Sequence, residues 1–148
     1  MIIIEKILYR TKHGDFHAAI TRSDKKSGDY RVDIYNDHDR LMGRVDFFVY
    51  GGQAWLASIS VIKDYRYQGV GQALIEMCEY IVAKRGATVI SGLYSPSNDY
   101  AQQFYIKNGY DIIQRDDDLL IQKDINIAKT RALYAMKISN KDIKEDTI

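Results

Sequence analysis

Arg66, Tyr67, Gln68, Gly69, Val70 and Gly71 place a guanidinium and two glycines, one residue apart, at the start of an amphipathic run. These residue types at this spacing suit an anion. The first N–H groups of a helix have no partner within the helix, and the helix dipole adds partial positive charge at the same end. Glycine lets a phosphate approach the backbone closely, and Arg66 supplies formal charge beside it. Two phosphate loops of fixed pattern do not fit. The dinucleotide fingerprint wants a third glycine where Leu74 stands, and a Walker loop wants Gly-Lys and a hydroxyl residue where the chain reads Gly71-Gln72-Ala73. Alone, the hexapeptide is equally well a tight turn.

The elements that would hold this turn follow from pattern. Residues 2–10, IIIEKILYR, are rich in β-branched residues and lead to a turn at Lys12 to Asp15. Ile3, Ile4, Ile7 and Leu8 also share a helical face, so a helix over residues 2–12 competes with the strand; the strand is favoured. Residues 16–22 and 30–36 read as further strands, the second with Tyr30, Val32 and Ile34 alternating with charged or polar neighbours. Residues 41–50 and 54–62 flank Gly51-Gly52, a hairpin signal. From Val70 the character changes. Val70, Ala73, Leu74, Met77, Cys78, Ile81 and Val82 form the stripe of an amphipathic helix that stops at Gly86. A strand over 87–94 follows, then a short helix capped at Ser97 or Asn98 and ending at Asn108-Gly109, then a strand over 110–114. Residues 119–125 are ambiguous, residues 131–138 (RALYAMKI) are expected to be the last strand, and residues 139–148 a frayed polar tail. The order implies an α/β or α+β fold with one mixed sheet.

Composition sets the frame. One domain over 1–148 is expected, since 148 residues without repeats or a Pro- or Ser-rich linker suffice for one core. A net charge of +1 favours neither a nucleic acid nor a membrane surface. The single cysteine, Cys78, allows no internal disulfide and fits a reducing compartment. The opening MIIIEKILYR is too short in apolar residues for a signal peptide, and no stretch approaches the ~20 residues of a membrane span. A soluble, cytoplasmic protein is the expectation. Cys78 lies on the apolar stripe and reads as inert core. His13 and His17 are separated by a turn signal and His38 stands alone, so no metal site is expected.

The residues after the glycine turn make it specific. Residues 58–81, SISVIKDYRYQGVGQALIEMCEYI, resemble the pyrophosphate-binding segment of the GCN5-related N-acetyltransferases, in which a strand enters an R/Q-x-x-G-x-G/A turn and a helix. Residues 98–110, NDYAQQFYIKNGY, are similar to that family's second signature: an Asn, an Ala and a Tyr-bearing helix closed by Gly-aromatic. The likeness covers about 54–113, with residues 133–138 as a matching last strand. It implies an acyl-CoA N-acyltransferase fold whose mostly antiparallel sheet is splayed at a cofactor cleft.

The resemblance implies acetyl-CoA as co-substrate and a primary amine of a small molecule or protein as acceptor. Backbone N–H groups from Gln68, Gly69, Val70, Gly71, Gln72 and Ala73 would cradle the pyrophosphate, with Arg66 beside them. Ile59 and Val61 would pair through their backbones with the pantetheine arm, Asn98 would hydrogen-bond it, and a strand N–H would polarise the thioester carbonyl. Tyr105 matches the tyrosine placed to protonate the leaving thiolate. Its alternative is aromatic packing beside Phe104, and the alternative for Asn98 is a helix cap. Asp46 is a candidate base, or else a salt-bridged strand residue. Residues 54–113 would form the acetyl-CoA-binding core and 1–53 the acceptor-side strands. Family members usually carry two helices after their first strand, which strand signals replace here, so reduced N-terminal helices are expected and the acceptor is not carried over. Asp116, Asp117 and Asp118 would steer a cationic amine or be a solvated loop. Two other readings are a non-catalytic CoA-binding regulatory protein and an aminoacyl-tRNA acetyltransferase. The second wants a clustered basic surface that the scattered Lys and Arg do not supply. Open strand edges at the N-terminal strands or residues 119–125 would allow a homodimer.

Overall fold

A computed structural model describes residues 2–24, 27–94 and 99–140. Five antiparallel strands come first: β1 (Ile2–Thr11), β2 (Gly14–Arg22), β3 (Asp29–Tyr35), β4 (Leu41–Tyr50) and β5 (Gln53–Val61). Each pairs with the next, so the strand reading of the N-terminal half holds over the helical one. No helix precedes Lys63 among the described residues. A single 3-10 turn, Lys63–Tyr65, leads into α1 (Val70–Lys84). Then come β6 (Val89–Tyr94), α2 (Asp99–Lys107), β7 (Asp111–Arg115), β8 (Asp118–Asp124), α3 (Ile127–Ala135) and β9 (Ile138–Asn140). The strands lie in one mixed sheet, ordered β7-β8-β6-β5-β4-β3-β2-β1-β9, in which β5 and β6 are the parallel pair.

Strand alternation sorts the two faces. Val32, Ile34, Val45, Phe47 and Leu56 are buried, and α1 packs on β3, β4 and β5 through its apolar stripe. Approach is close at Gly43, where a Cβ would lie 2.9 Å from both Val70 Cγ1 and Ser60 O. On the opposite face Arg31 stands directly across from Asp46, and Asp33 across from Arg44. They pair as ions at 2.9 and 2.5 Å, a cross-strand arrangement that stabilises a half-buried sheet face.

Three expectations change. Residues 131–138 are not a strand: Arg131–Ala135 belong to α3, whose start is capped by Asn126 Oδ1 accepting from the Lys129 N–H, and only Ile138 enters β9. The ambiguous 119–125 is strand β8, held between β6 and β7, so it is no free edge for a second copy. The polar tail starts later than 139, because Ser139 and Asn140 pair with Leu8 and Ile7. The proposed caps Ser97 and Asn98 lie outside the described residues. The acidic run is the tip of a β7–β8 hairpin in which Arg115 opposes Asp118.

The C-terminal segment acts as a strap. It leaves β8 near one edge of the sheet, crosses α1 as α3, and adds β9 to the other edge beside β1. The crossing buries two carboxylates that a solvent-facing helix surface would leave wet. Glu76 Oε1 accepts from Lys137 Nζ at 2.8 Å and from the Tyr9 hydroxyl at 2.6 Å. Glu79 accepts from Lys123 Nζ at 2.9 Å, from the Tyr110 hydroxyl at 3.0 Å and from the Tyr134 hydroxyl at 3.5 Å. Burial raises the Glu79 carboxyl, with Lys123 working against it. For Glu76 burial also raises, yet the bonds from Lys137, Tyr9 and Gln72 outweigh it and the carboxyl is lowered.

Candidate active site

The site begins where two strands part. β5 and β6 pair from Gln53/Val89 to Leu56/Gly92 and no further, although β5 runs on to Val61 and β6 to Tyr94. Two local features explain the parting. A bulge leaves Ala57 outside the β4–β5 pairing and bends β5, as bulges do. On its far side β6 stays paired to β8 as far as Tyr94, which holds it in the sheet while β5 diverges. One edge of Ala57–Val61 therefore has no strand neighbour among the described residues and faces a cleft of about 1630 Å³.

The mouth of the cleft is the N-terminus of α1. Gly69 caps it in the left-handed conformation, with φ of 85°, and neither a capping side chain nor an acidic residue competes for the first N–H groups. Arg66 Nε donates to Val61 O at 3.2 Å, which folds the guanidinium back along the turn. The Ala73 N–H already donates to Gly69 O, so the donors without helix partners are those before it: Val70, Gly71 and Gln72. Val70 and Ala73 turn their side chains into the core. This arrangement suits an extended chain bearing a phosphate: an open strand edge leading to a bare helix N-terminus.

Glycine is required at position 69. A Cβ there would lie 2.4 Å from His13 Cδ2 of the β1–β2 turn, and the backbone is one that L-residues adopt at a cost of about 1–2 kcal/mol. Gly69→Ala is expected to lower Tm by roughly 2–8 °C for a chain of this size. Unchanged thermal unfolding would show that the turn relaxes freely.

Tyr105 lies deeper, on α2, in the wall of the same cleft. Its ring packs against Tyr94, Phe104 and Tyr110 at centroid distances of 5.7, 5.5 and 5.6 Å. Its hydroxyl has no hydrogen-bond partner among the described residues and is not sealed off. Burial, then the nearby Cys78 and Tyr94, push it up to about 12. Cys78 is fully buried, and burial raises its thiol well above the ordinary range.

The structure thus brings Ile59, Val61, Arg66, Gly69, Gly71, Gln72 and Tyr105 to one cleft. Gln68, on the same turn, donates from its side chain to Asp64 O. Asp46 is not among the cleft residues. Its carboxylate is paired with Arg31 and meets the cleft only through Ser58, whose Oγ lies 3.4 Å from Oδ2. Asn98 lies outside the described residues. Asp116, Asp117 and Asp118 do not line the cleft. Sequence reasoning missed the walls that come from far along the chain: the β1–β2 turn with Lys12 and His13, and the strap with Leu133, Met136 and Lys137. Among the described residues no group of three His, Cys, Asp or Glu could hold a metal, and no helix is long and apolar enough to cross a membrane.

Comparison with known proteins agrees with this geometry. A search of curated proteins finds no match. Among solved structures, PaiA N-acetyltransferase from Thermoplasma acidophilum, in complex with coenzyme A, superposes with a TM-score of 0.60 at 21% identity over 64% of this chain and 59% of that one. The chain therefore spans less than two thirds of that protein. The ribosomal-protein-S18-alanine N-acetyltransferase of Escherichia coli gives 0.61 at 22% identity, over 67% and 70% of the two chains. Nourseothricin acetyltransferase gives 0.63 at 17% identity, over 84% and 87%. Residues 28–112, more than half of the chain and including β3 to α2, match the family described as the acetyltransferase (GNAT) domain. With its β5–β6 splay and bare α1 N-terminus, this chain belongs to the GNAT acetyltransferase family.

Proposed function

We propose that the protein transfers an acetyl group from acetyl-CoA to a primary amine by direct attack, with no covalent enzyme intermediate. The observation that carries this reading is the open edge of β5, which runs between the bare N-terminus of α1 and the Tyr105 hydroxyl. Acetyl-CoA supplies an activated thioester. The chain's own groups do the rest. Ile59 and Val61 present backbone donors and acceptors to an extended arm. The N–H groups of Val70, Gly71 and Gln72, with Arg66, hold its diphosphate. At the bulge, backbone N–H groups around Ala57 and Ser58 donate to the thioester oxygen, where charge develops. Tyr105 donates a hydrogen bond to the departing sulfur.

The amine must lose its proton before it attacks. With Asp46 committed to Arg31, that proton leaves to water, and the proton the nitrogen sheds after attack ends, through water, on the departing thiolate. The acceptor approaches between the strands of residues 1–53 and the cleft. A homodimer would pair a second copy on β1 at Ile2–Ile4, whose side chains are exposed.

Isothermal titration with acetyl-CoA tests the reading. Saturable binding in the micromolar to submillimolar range is expected, and no heat at millimolar acetyl-CoA overturns it. Thiol release with a panel of polyamines, aminoglycosides, amino acids and peptide N-termini then identifies the acceptor class. Binding without thiol release from any amine would instead favour a regulatory CoA-binding protein.

A further inference from the structure

Tyr67 is the most exposed large apolar or aromatic side chain among the described residues, at 86%, and it lies inside the anion turn between Arg66 and Gln68. It also has φ of 65°, a left-handed backbone that costs a bulky residue steric strain. Strained residues that persist concentrate at ligand clamps and switches. One exposed tyrosine on a surface needs no explanation. This one has a partner. Tyr100, 60% exposed at the start of α2, meets it edge to face, with centroids 6.4 Å apart and ring planes at 82°. Both residues line the same cleft, one from the turn before α1 and one from α2.

Direction decides what they hold. A chain anchored at the N-terminus of α1 extends inward along β5 toward Tyr105, and outward toward solvent. Tyr67 belongs to the outward side, because it precedes the capping residue Gly69 and its ring stands in solvent. A perpendicular ring pair offers a planar guest one aromatic face to stack on and one ring edge to abut. Lysines would grip a phosphate; two neutral rings do not.

We infer that Tyr67 and Tyr100 form a stacking seat for the heteroaromatic base at the nucleotide end of the coenzyme. The inference rests on the acetyl-CoA reading and adds a contact that neither the turn motif nor α1 supplies. The strained backbone at Tyr67 presents the ring, and Tyr100 fixes the side from which the base enters. Stacking of a base on an aromatic side chain is sequence-tolerant and accounts for about a tenfold change in affinity or more on truncation.

The test is titration of wild type, Tyr67→Ala, Tyr67→Phe and Tyr100→Ala with CoA, dephospho-CoA and 4′-phosphopantetheine, which lacks the base. Tyr67→Ala is expected to bind CoA and dephospho-CoA about tenfold more weakly, by the same factor, and to bind 4′-phosphopantetheine unchanged. Tyr67→Phe keeps a ring and retains CoA affinity, while Tyr100→Ala shows a smaller loss of the same selectivity. Equal loss for 4′-phosphopantetheine would mean that the substitution only deforms the turn, and overturns the inference. So does unchanged CoA affinity, including the case in which only the acceptor KM moves. If wild type binds none of the three ligands, the acetyl-CoA reading itself has failed, which separates the two.

Discussion

Glu79→Ala should destabilise the fold by about 3–5 kcal/mol, the usual cost of removing one partner from a buried ion pair. The side chain of Glu79 is 3% exposed, and three donors converge on it from three elements: Lys123 on β8, Tyr110 after α2, and Tyr134 on α3. Truncation leaves the Lys123 ammonium with Asn108 O at 2.8 Å as its one hydrogen-bond acceptor among the described residues, and strips the Tyr110 and Tyr134 hydroxyls of their acceptor. For a chain of this length the loss corresponds to a fall in Tm on the order of 10 °C. A change under a few degrees would show that water replaces the carboxylate, and that the strap is held by apolar contact alone.

The two α1 carboxylates should respond to acid in opposite ways. Glu76 is lowered, so its stabilisation is present above the ordinary carboxylate range and is lost as pH falls through its folded value. Glu79 is raised by burial, so its titration favours the folded state at low pH, and that contribution is lost as pH rises through its folded value. The Tm difference between wild type and Glu76→Gln should shrink on acidification, while that between wild type and Glu79→Gln should move in favour of wild type.

Why the strap escaped the sequence is physical. α1 was legible because seven apolar positions repeat at helical spacing, and all seven are buried. α3 buries no residue, so it has no stripe to read. Instead residues 132–136 are a short continuous apolar run, which reads as a buried strand. What holds the segment is Tyr134 and Lys137 reaching glutamates 55 and 61 residues away, and no local pattern records such a bond. The cleft divides in the same way. The turn, the helix and Tyr105 follow from adjacent residues, whereas Lys12, His13, Leu133 and Met136 reach it through tertiary folding. Asp46 shows a third limit. Val45 and Phe47 fix it on the face opposite α1, but only the register, which sets Arg31 directly across from it, reveals that its carboxylate is engaged.

Tyr105→Phe should lower turnover roughly a hundredfold, as removal of one preorganised donor does, and leave acetyl-CoA affinity within about twofold. Phenylalanine preserves the ring contacts to Tyr94, Phe104 and Tyr110, and the lost hydroxyl orphans no described group, so the fold is untouched. The raised value defines the kind of help it gives. A phenol at about 12 does not surrender its proton to a sulfur of ordinary thiol basicity near 8.5; it stabilises the departing charge by hydrogen bonding. The same value sets the pH profile. Only about one Tyr105 in a hundred is ionised at pH 10, so kcat/KM should climb with deprotonation of the amine, near 10.4, and show no descending limb below about pH 11. An unburied tyrosine would begin to fail near 10, within the measurable range. A descending limb centred below pH 10 in wild type, absent from Tyr105→Phe, would show that the hydroxyl is better solvated than its packing implies. Equal turnover in the two proteins would remove Tyr105 from the reaction and leave stabilisation of the leaving group to the backbone of β5 and to water.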